Sequence, residues 1–172
     1  MRYVDFLKTT VLACAGAATA LGAVAIAGAA GDDNSAALVS FSLGWWTIAI
    51  VIGTLLGRRA EALPPIARLL SGARSSTSLP EQDKPGRVLL NRLWPLFFLL
   101  VASGALAVAA PQVPAIGAGF AVMWALYWRR QDAAVTAIED RDGVTFFIER
   151  TPPHKPMQLI RTPGFRRVAP PT

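Results

Sequence analysis

Residues 93–128 read LWPLFFLLVASGALAVAAPQVPAIGAGFAVMWALYW, a stretch without a single Asp, Glu, Lys or Arg. A spanning helix needs about 20 mainly apolar residues, because the hydrocarbon layer is roughly 30 Å thick and an α-helix rises about 1.5 Å per residue. The stretch is therefore too long for one crossing. Pro111 and Pro114 lack an N–H and sit poorly inside a helix, so they divide it into a helical hairpin with arms over 93–110 and 113–129. The rival, a re-entrant or in-plane element, would expose irregular backbone to lipid, which is not tolerated at membrane depth.

Working outward, Thr9 to Gly31 and Asn34 to Gly57 are also uncharged apart from Asp32 and Asp33 between them, and each fits one span, over 10–30 and 38–57. The chain has 172 residues, 53% hydrophobic and only 16% charged, against about 25% charged in soluble domains. The expected fold is an all-α membrane protein with four transmembrane helices in two helical hairpins. It divides into a transmembrane region, 1–130, with a cytoplasmic loop over 58–92, and a cytoplasmic tail, 131–172.

Lys and Arg stay on the cytoplasmic side of bacterial inner membranes, and the 17 basic residues fall in three segments only. Arg2 and Lys8 lie at the amino end. Arg58, Arg59, Arg68, Arg74, Lys84, Arg87 and Arg92 lie in the central loop, and Arg129, Arg130, Arg141, Arg150, Lys155, Arg161, Arg166 and Arg167 in the tail. The two remaining loops, Asp32-Asp33-Asn34 and Pro111-Gln112-Val113-Pro114, have none. Four spans put all basic segments on one face, which predicts a multi-pass inner-membrane protein with both termini cytoplasmic. The net charge of +6 then reads as a topology signal and an attraction to anionic lipid headgroups, with no nucleic-acid partner expected.

Trp and Tyr favour the membrane interface. Trp45 and Trp46 are expected at the outer end of the second span, and Tyr3, Trp94, Trp124, Tyr127 and Trp128 at cytoplasmic ends, with Arg129 and Arg130 snorkelling at the inner boundary. Helices in lipid associate where small residues let backbones approach. The first span offers Gly16 with Ala20, Ala18 with Gly22 and Ala23 with Ala27; the second ends in Gly53-Thr54-Leu55-Leu56-Gly57; the fourth opens with Ala115 and Gly119, Gly117 and Ala121. These are candidate helix-packing positions, within the bundle or against a second chain.

Two processing signals are imitated. Ala27-Gly28-Ala29 follows a basic start and an apolar run, as in a cleaved signal peptide, but the run is longer than an ordinary signal core, which favours a retained span. Val11-Leu12-Ala13-Cys14 resembles a lipobox poorly, since Leu12 is too large for its slot; Cys14 reads as a packing residue.

In the loop, Pro65, Ile66, Leu69, Leu70 and Ala73 have the spacing of a short amphipathic helix, expected to lie on the inner leaflet. Ser75 to Ser78 and Pro80 to Gly86 read as linker. In the tail, Ala133 to Glu139 and Val144 to Glu149 around Asp142-Gly143 predict a β-hairpin over 133–150, followed by an extended segment over 156–163. A lone hairpin is marginal in water, so Phe146, Phe147 and Ile148 are expected to need cover and are candidate partner-docking residues.

Chemistry is sparse. Asp140, Asp142, Gly143 and Glu149 match four positions of a calcium-binding EF-hand loop, but Ile138 stands where the first carboxylate belongs. His154 is the only histidine, so no His cluster exists. No nucleophile motif, phosphate loop or dinucleotide fingerprint occurs, and the spans hold no ionisable acid or base of the kind that marks ion pathways. The expectation is a non-catalytic accessory or scaffolding subunit acting through protein contacts or self-association, with no cofactor or metal. The alternatives are an oligomeric transporter or channel component and, third, a surface enzyme acting on a lipid headgroup through Asp140, Asp142 or Glu149.

Overall fold

The computed structural model describes residues 1–31, 33–58, 61–76, 84–149, 151–152 and 155–163. Sequence readings that fall on His154, Arg59, Arg150, Arg166, Arg167 and the linker 77–83 lie outside the described residues. The elements are α1 (Tyr3–Ala30), α2 (Ser35–Leu56), α3 (Pro64–Ser71), β1 (Arg74–Ser75), α4 (Pro85–Leu106), α5 (Gln112–Trp128), α6 (Gln131–Asp142), β2 (Val144–Ile148) and β3 (Leu159–Pro163).

Among the described residues, three helices are long and apolar enough to cross a membrane: α1, α2 and α4. The helix expected as the fourth span, α5, has 17 residues and rises only about 25 Å. It packs most extensively on α1 and α2 and also touches α4, so the shortest apolar helix is the central one. The stretch 93–128 does divide at Pro111, which caps α5. Its first arm begins earlier than expected, at Pro85, because proline with its fixed φ suits a helix start and the charged Arg87 and Arg92 extend the helix beyond its apolar part. Pro95 lies inside α4 and cannot donate to the carbonyl of Asn91.

The helices run between two ends. At one, a side-chain carbon added to Gly28 of α1 would lie 3.2 Å from Pro111, so the α1–α2 and α4–α5 turns meet. At the other, Tyr3, Val4, Phe6 and Leu7 of α1 form one core with Ile66, Leu70, Val135, Phe146, Ile148 and Leu159, flanked by Val88, Leu89 and Leu93 of α4 and by Trp128. The amino end, central loop and tail therefore converge on a single small unit at the same end of the bundle.

Two expectations about that unit are corrected. The first arm of the predicted hairpin is the helix α6: Gln131, Ala134, Val135 and Glu139 are its buried positions, a helical period that the three alanines at 133, 134 and 137 support. Gly143 sits at φ 62°, ψ 36° as the left-handed cap of α6, so Asp142-Gly143 ends a helix where a hairpin turn was expected. Val144–Ile148 is a strand, but it pairs antiparallel with β3, Phe147 opposite Ile160, while β1 joins β3 in parallel, giving the order β1-β3-β2. The second correction concerns α3. Its helix is where the periodicity puts it, yet Ile66 and Leu70 are buried in the shared core, which takes its apolar face away from the lipid leaflet.

The outer edge of β2 is closed by the start of the chain. Arg2 bridges Phe147, and Ile148 N–H donates to the Met1 carbonyl at 3.1 Å. A leader removed at Ala29 would carry away this edge together with four members of the core.

Candidate functional site

The expected packing residues separate into two groups. Gly53 and Gly57 of α2 lie against the Met123–Leu126 backbone of α5: a side-chain carbon at Gly53 would stand 3.0 Å from the Met123 carbonyl oxygen, and one at Gly57 would overlap that of Leu126. Gly117 faces Leu21 of α1 and Ser103 of α4, each 3.0 Å from the same virtual atom. Gly119 has no room for a side chain at all, because the Trp45 indole occupies it. Gly22 receives the Trp46 ring at 3.7 Å. Gly16 and Ala20, in contrast, are exposed on the opposite face of α1 with Ala23 and Ala27, and nothing lies within 4 Å of a side chain added at Gly16.

Trp45 and Trp46 fall at the middle of the 22-residue α2, about 15 Å from its start. An indole N–H taken away from water needs a protein acceptor. Trp45 Nε1 donates to the Ile116 carbonyl at 3.1 Å and Trp46 Nε1 to the Ala115 carbonyl at 2.8 Å, while Phe120 meets Trp45 edge-on at 5.3 Å. The two rings thus straddle the first turns of α5, one over Gly119 and the other reaching toward Gly22. Trp94 and Trp124 are exposed near the other end; Trp128 stacks on Trp124 and packs into the shared core, and its Nε1 is buried without a partner. Arg129 and Arg130 are exposed where α5 ends.

Phe146, Phe147 and Ile148, expected to need cover from a docking partner, are all buried within the chain. Phe146 and Ile148 belong to the shared core, whose other members come from segments that sequence separation hides: α1, α3, α6 and β3.

The polar residues that organise this unit were not singled out from sequence. Glu139, 5% exposed, accepts from Arg2 Nη2 at 2.9 Å through one carboxylate oxygen and from Phe146 N–H at 2.9 Å through the other. One side chain on α6 therefore fixes both the start of α1 and the register of β2. Gln131, fully buried, accepts Leu63 N–H at 2.9 Å and leaves Nε2 unpartnered. Both lie on the buried stripe of α6, eight positions apart, and a helical reading of 131–142 would have flagged them. Arg92 of α4 reaches the tail, donating to Thr151 Oγ1 and, at 2.8 Å, to the Lys155 carbonyl.

The acids that imitate a calcium loop are dispersed. Asp140 is exposed on α6, Glu149 follows β2 and lies 4.0 Å from Arg74, and Asp142 pairs with Arg141 at 2.8 Å. The hydrogen bond from Arg141 holds the Asp142 carboxyl below the usual carboxylate range. Among the described residues no group of three or more His, Cys, Asp or Glu is placed to hold a metal ion. Comparison with protein-family models, curated proteins and solved structures gives no match to this chain.

Proposed function

We propose that the protein is a four-span bacterial inner-membrane protein, amino and carboxyl ends cytoplasmic, that acts without catalysis as an accessory or scaffolding subunit. Support for four crossings comes from the convergence of every described basic segment at one end of the bundle, while the turns at Gly31 and Pro111 meet at the other. The 17 residues of α5 fall at the short end of the roughly 17–25 that cross a bilayer. Reporter fusions at Asp33, Gly86, Gln112 and Thr172 test the orientation; a periplasmic Gly86 or Thr172 fusion overturns it.

The contact function rests on α1. One face, with Cys14, Ala17, Leu21 and Ala25, is buried in the bundle; the other presents Gly16, Ala20, Ala23 and Ala27 in the open, continued toward the cytoplasm by exposed Asp5 and Lys8. Neither Asp5 nor Lys8 has an ion-pair partner among the described residues. Small residues without a protein neighbour suit the close approach of another helix. A photo-crosslinker at Gly16 or Ala20 in native membranes is expected to yield a protein adduct, and the same group at Leu56 of α2 to yield lipid only. Lipid-only products at all three positions would refute the subunit reading.

A further inference from the structure

The ends of α2 and α5 bring arginines together with no ion-pair partner among the described residues. Arg130 Nη1 donates to the Arg58 carbonyl at 3.3 Å, which draws the α5–α6 junction over the end of α2. The two helices are in close backbone contact there, Gly57 lying against Leu126. Arg129 caps α5 beside them. All three arginines are exposed, and none has a carboxylate within 4.0 Å among the described residues, whereas Arg2, Arg74 and Arg141 each do.

Helix dipoles account for part of this cluster. Each C-terminus carries about half a negative charge, and Glu61 and Asp132 follow within three residues of Arg58 and Arg130, which lowers the net charge of the region without pairing any of the three guanidinium groups directly. The surface beneath is apolar and open: Leu55 and Leu56 on α2 and Trp124 on α5 are each at least half exposed. An anion that suits both levels has a singly charged head and hydrocarbon below it.

We propose that Arg58, Arg129 and Arg130 bind the phosphodiester of an anionic phospholipid from the inner leaflet, its acyl chains lying along α2 and α5. The planar guanidinium fork matches phosphate oxygens in a bidentate manner, and guanidinium groups with no carboxylate within 4.0 Å disfavour zwitterionic lipids whose headgroup carries an amine. The site rests on the inward orientation of these helix ends proposed above.

Native mass spectrometry of the full chain in mild detergent, titrated with phosphatidylglycerol or phosphatidylcholine of matched chains, provides the test. The unaltered protein is expected to prefer phosphatidylglycerol by at least about tenfold, as charge-assisted hydrogen bonds imply, and Arg58→Gln/Arg130→Gln to bring the preference below about threefold. Arg68→Gln/Arg87→Gln, which removes equal charge from exposed positions elsewhere, is expected to keep it. Arg129 has no side-chain acceptor among the described residues to lose, so Arg129→Gln reports on the site even where the double variant unfolds, with an expected weakening of at least about threefold. Unchanged binding in Arg129→Gln, equal losses in the two double variants, or displacement of the lipid by millimolar inorganic phosphate would each overturn the site. Such a failure with the Gly86 and Thr172 reporters still cytoplasmic sinks the lipid site alone.

Discussion

Two leucines, Leu7 and Leu21, are both 1% exposed on the same helix, yet their surroundings differ in kind. Around Leu7 the buried side chains are large: Tyr3, Phe6, Ile66, Val135, Phe146 and Leu159. The buried neighbours of Leu21 along its own helix are small, Ala17 and Ala25, and Gly117 of α5 lies against it. In water, removing hydrocarbon from solvent is the driving force, so big side chains do most. Lipid dissolves leucine as readily as a protein interior does, and association there depends on backbones approaching closely and on polar groups finding partners. On the membrane reading proposed above, one chain uses both modes, and α1 crosses from one to the other.

The largest expected effect separates the two solvents directly. Leu7→Ala is expected to cost about 2–5 kcal/mol, transfer and cavity terms together, and Leu21→Ala clearly less, because only lost packing contributes in lipid. Chemical denaturation of the protein in bicelles, followed by protease sensitivity of the tail, compares them; equal costs would break the distinction. Next, Gly119→Ala forces the Trp45 indole out of its place and is expected to cost about 1–3 kcal/mol by overpacking. Gly16→Ala meets open space and is expected to stabilise by about 0.5–1 kcal/mol through backbone entropy. Steric-trap unfolding of the two variants should give opposite signs.

A smaller change sharpens the polar half of the lipid-phase argument. Trp46→Phe loses one N–H donor, worth about 0.6 kcal/mol with about 1.7 kcal/mol as a ceiling, and also the outer edge of the indole that reaches Gly22. A loss beyond that ceiling reports the packing share of the ring.

Reading the sequence recovered what periodicity and charge report. The ends of α2 come within three residues of expectation, α3 lies where Ile66 and Leu70 put it, and the basic segments do share one end of the bundle. Residues 133–139 went wrong because Ala, Val, Thr and Ile in succession satisfy a strand and a buried helix alike. The deciding positions, Gln131 and Glu139, are polar and do not register as core until their acceptors and donors are seen. The partners of Trp45 and Trp46 were invisible for a related reason: the carbonyls of Ala115 and Ile116 that accept from the indoles lie some 70 positions later. The small residues of α1 were legible as packing positions, but a sequence does not say which face is already occupied.

The smallest expected effect lies at the exposed end of α6. Because the Arg141 hydrogen bond lowers the folded-state pKa of Asp142, the pair contributes above the ordinary aspartate range near 3.9 and fades as pH falls through the depressed value. An NMR titration should place the Asp142 midpoint below the ordinary aspartate value near 3.9, and Arg141→Gln should raise it.

The bond between Arg2 and Glu139 joins residues 137 positions apart, and Ile148 closes on Met1 from further still. During translation, the aromatic and aliphatic groups at the base of α1 can therefore be covered only in part, by α3 and α4, until α6 and β2 leave the ribosome. That interval offers a chaperone or the insertion machinery something to hold. It also makes a stalled or prematurely ended product recognisable as incomplete, since its opening residues stay partly bare.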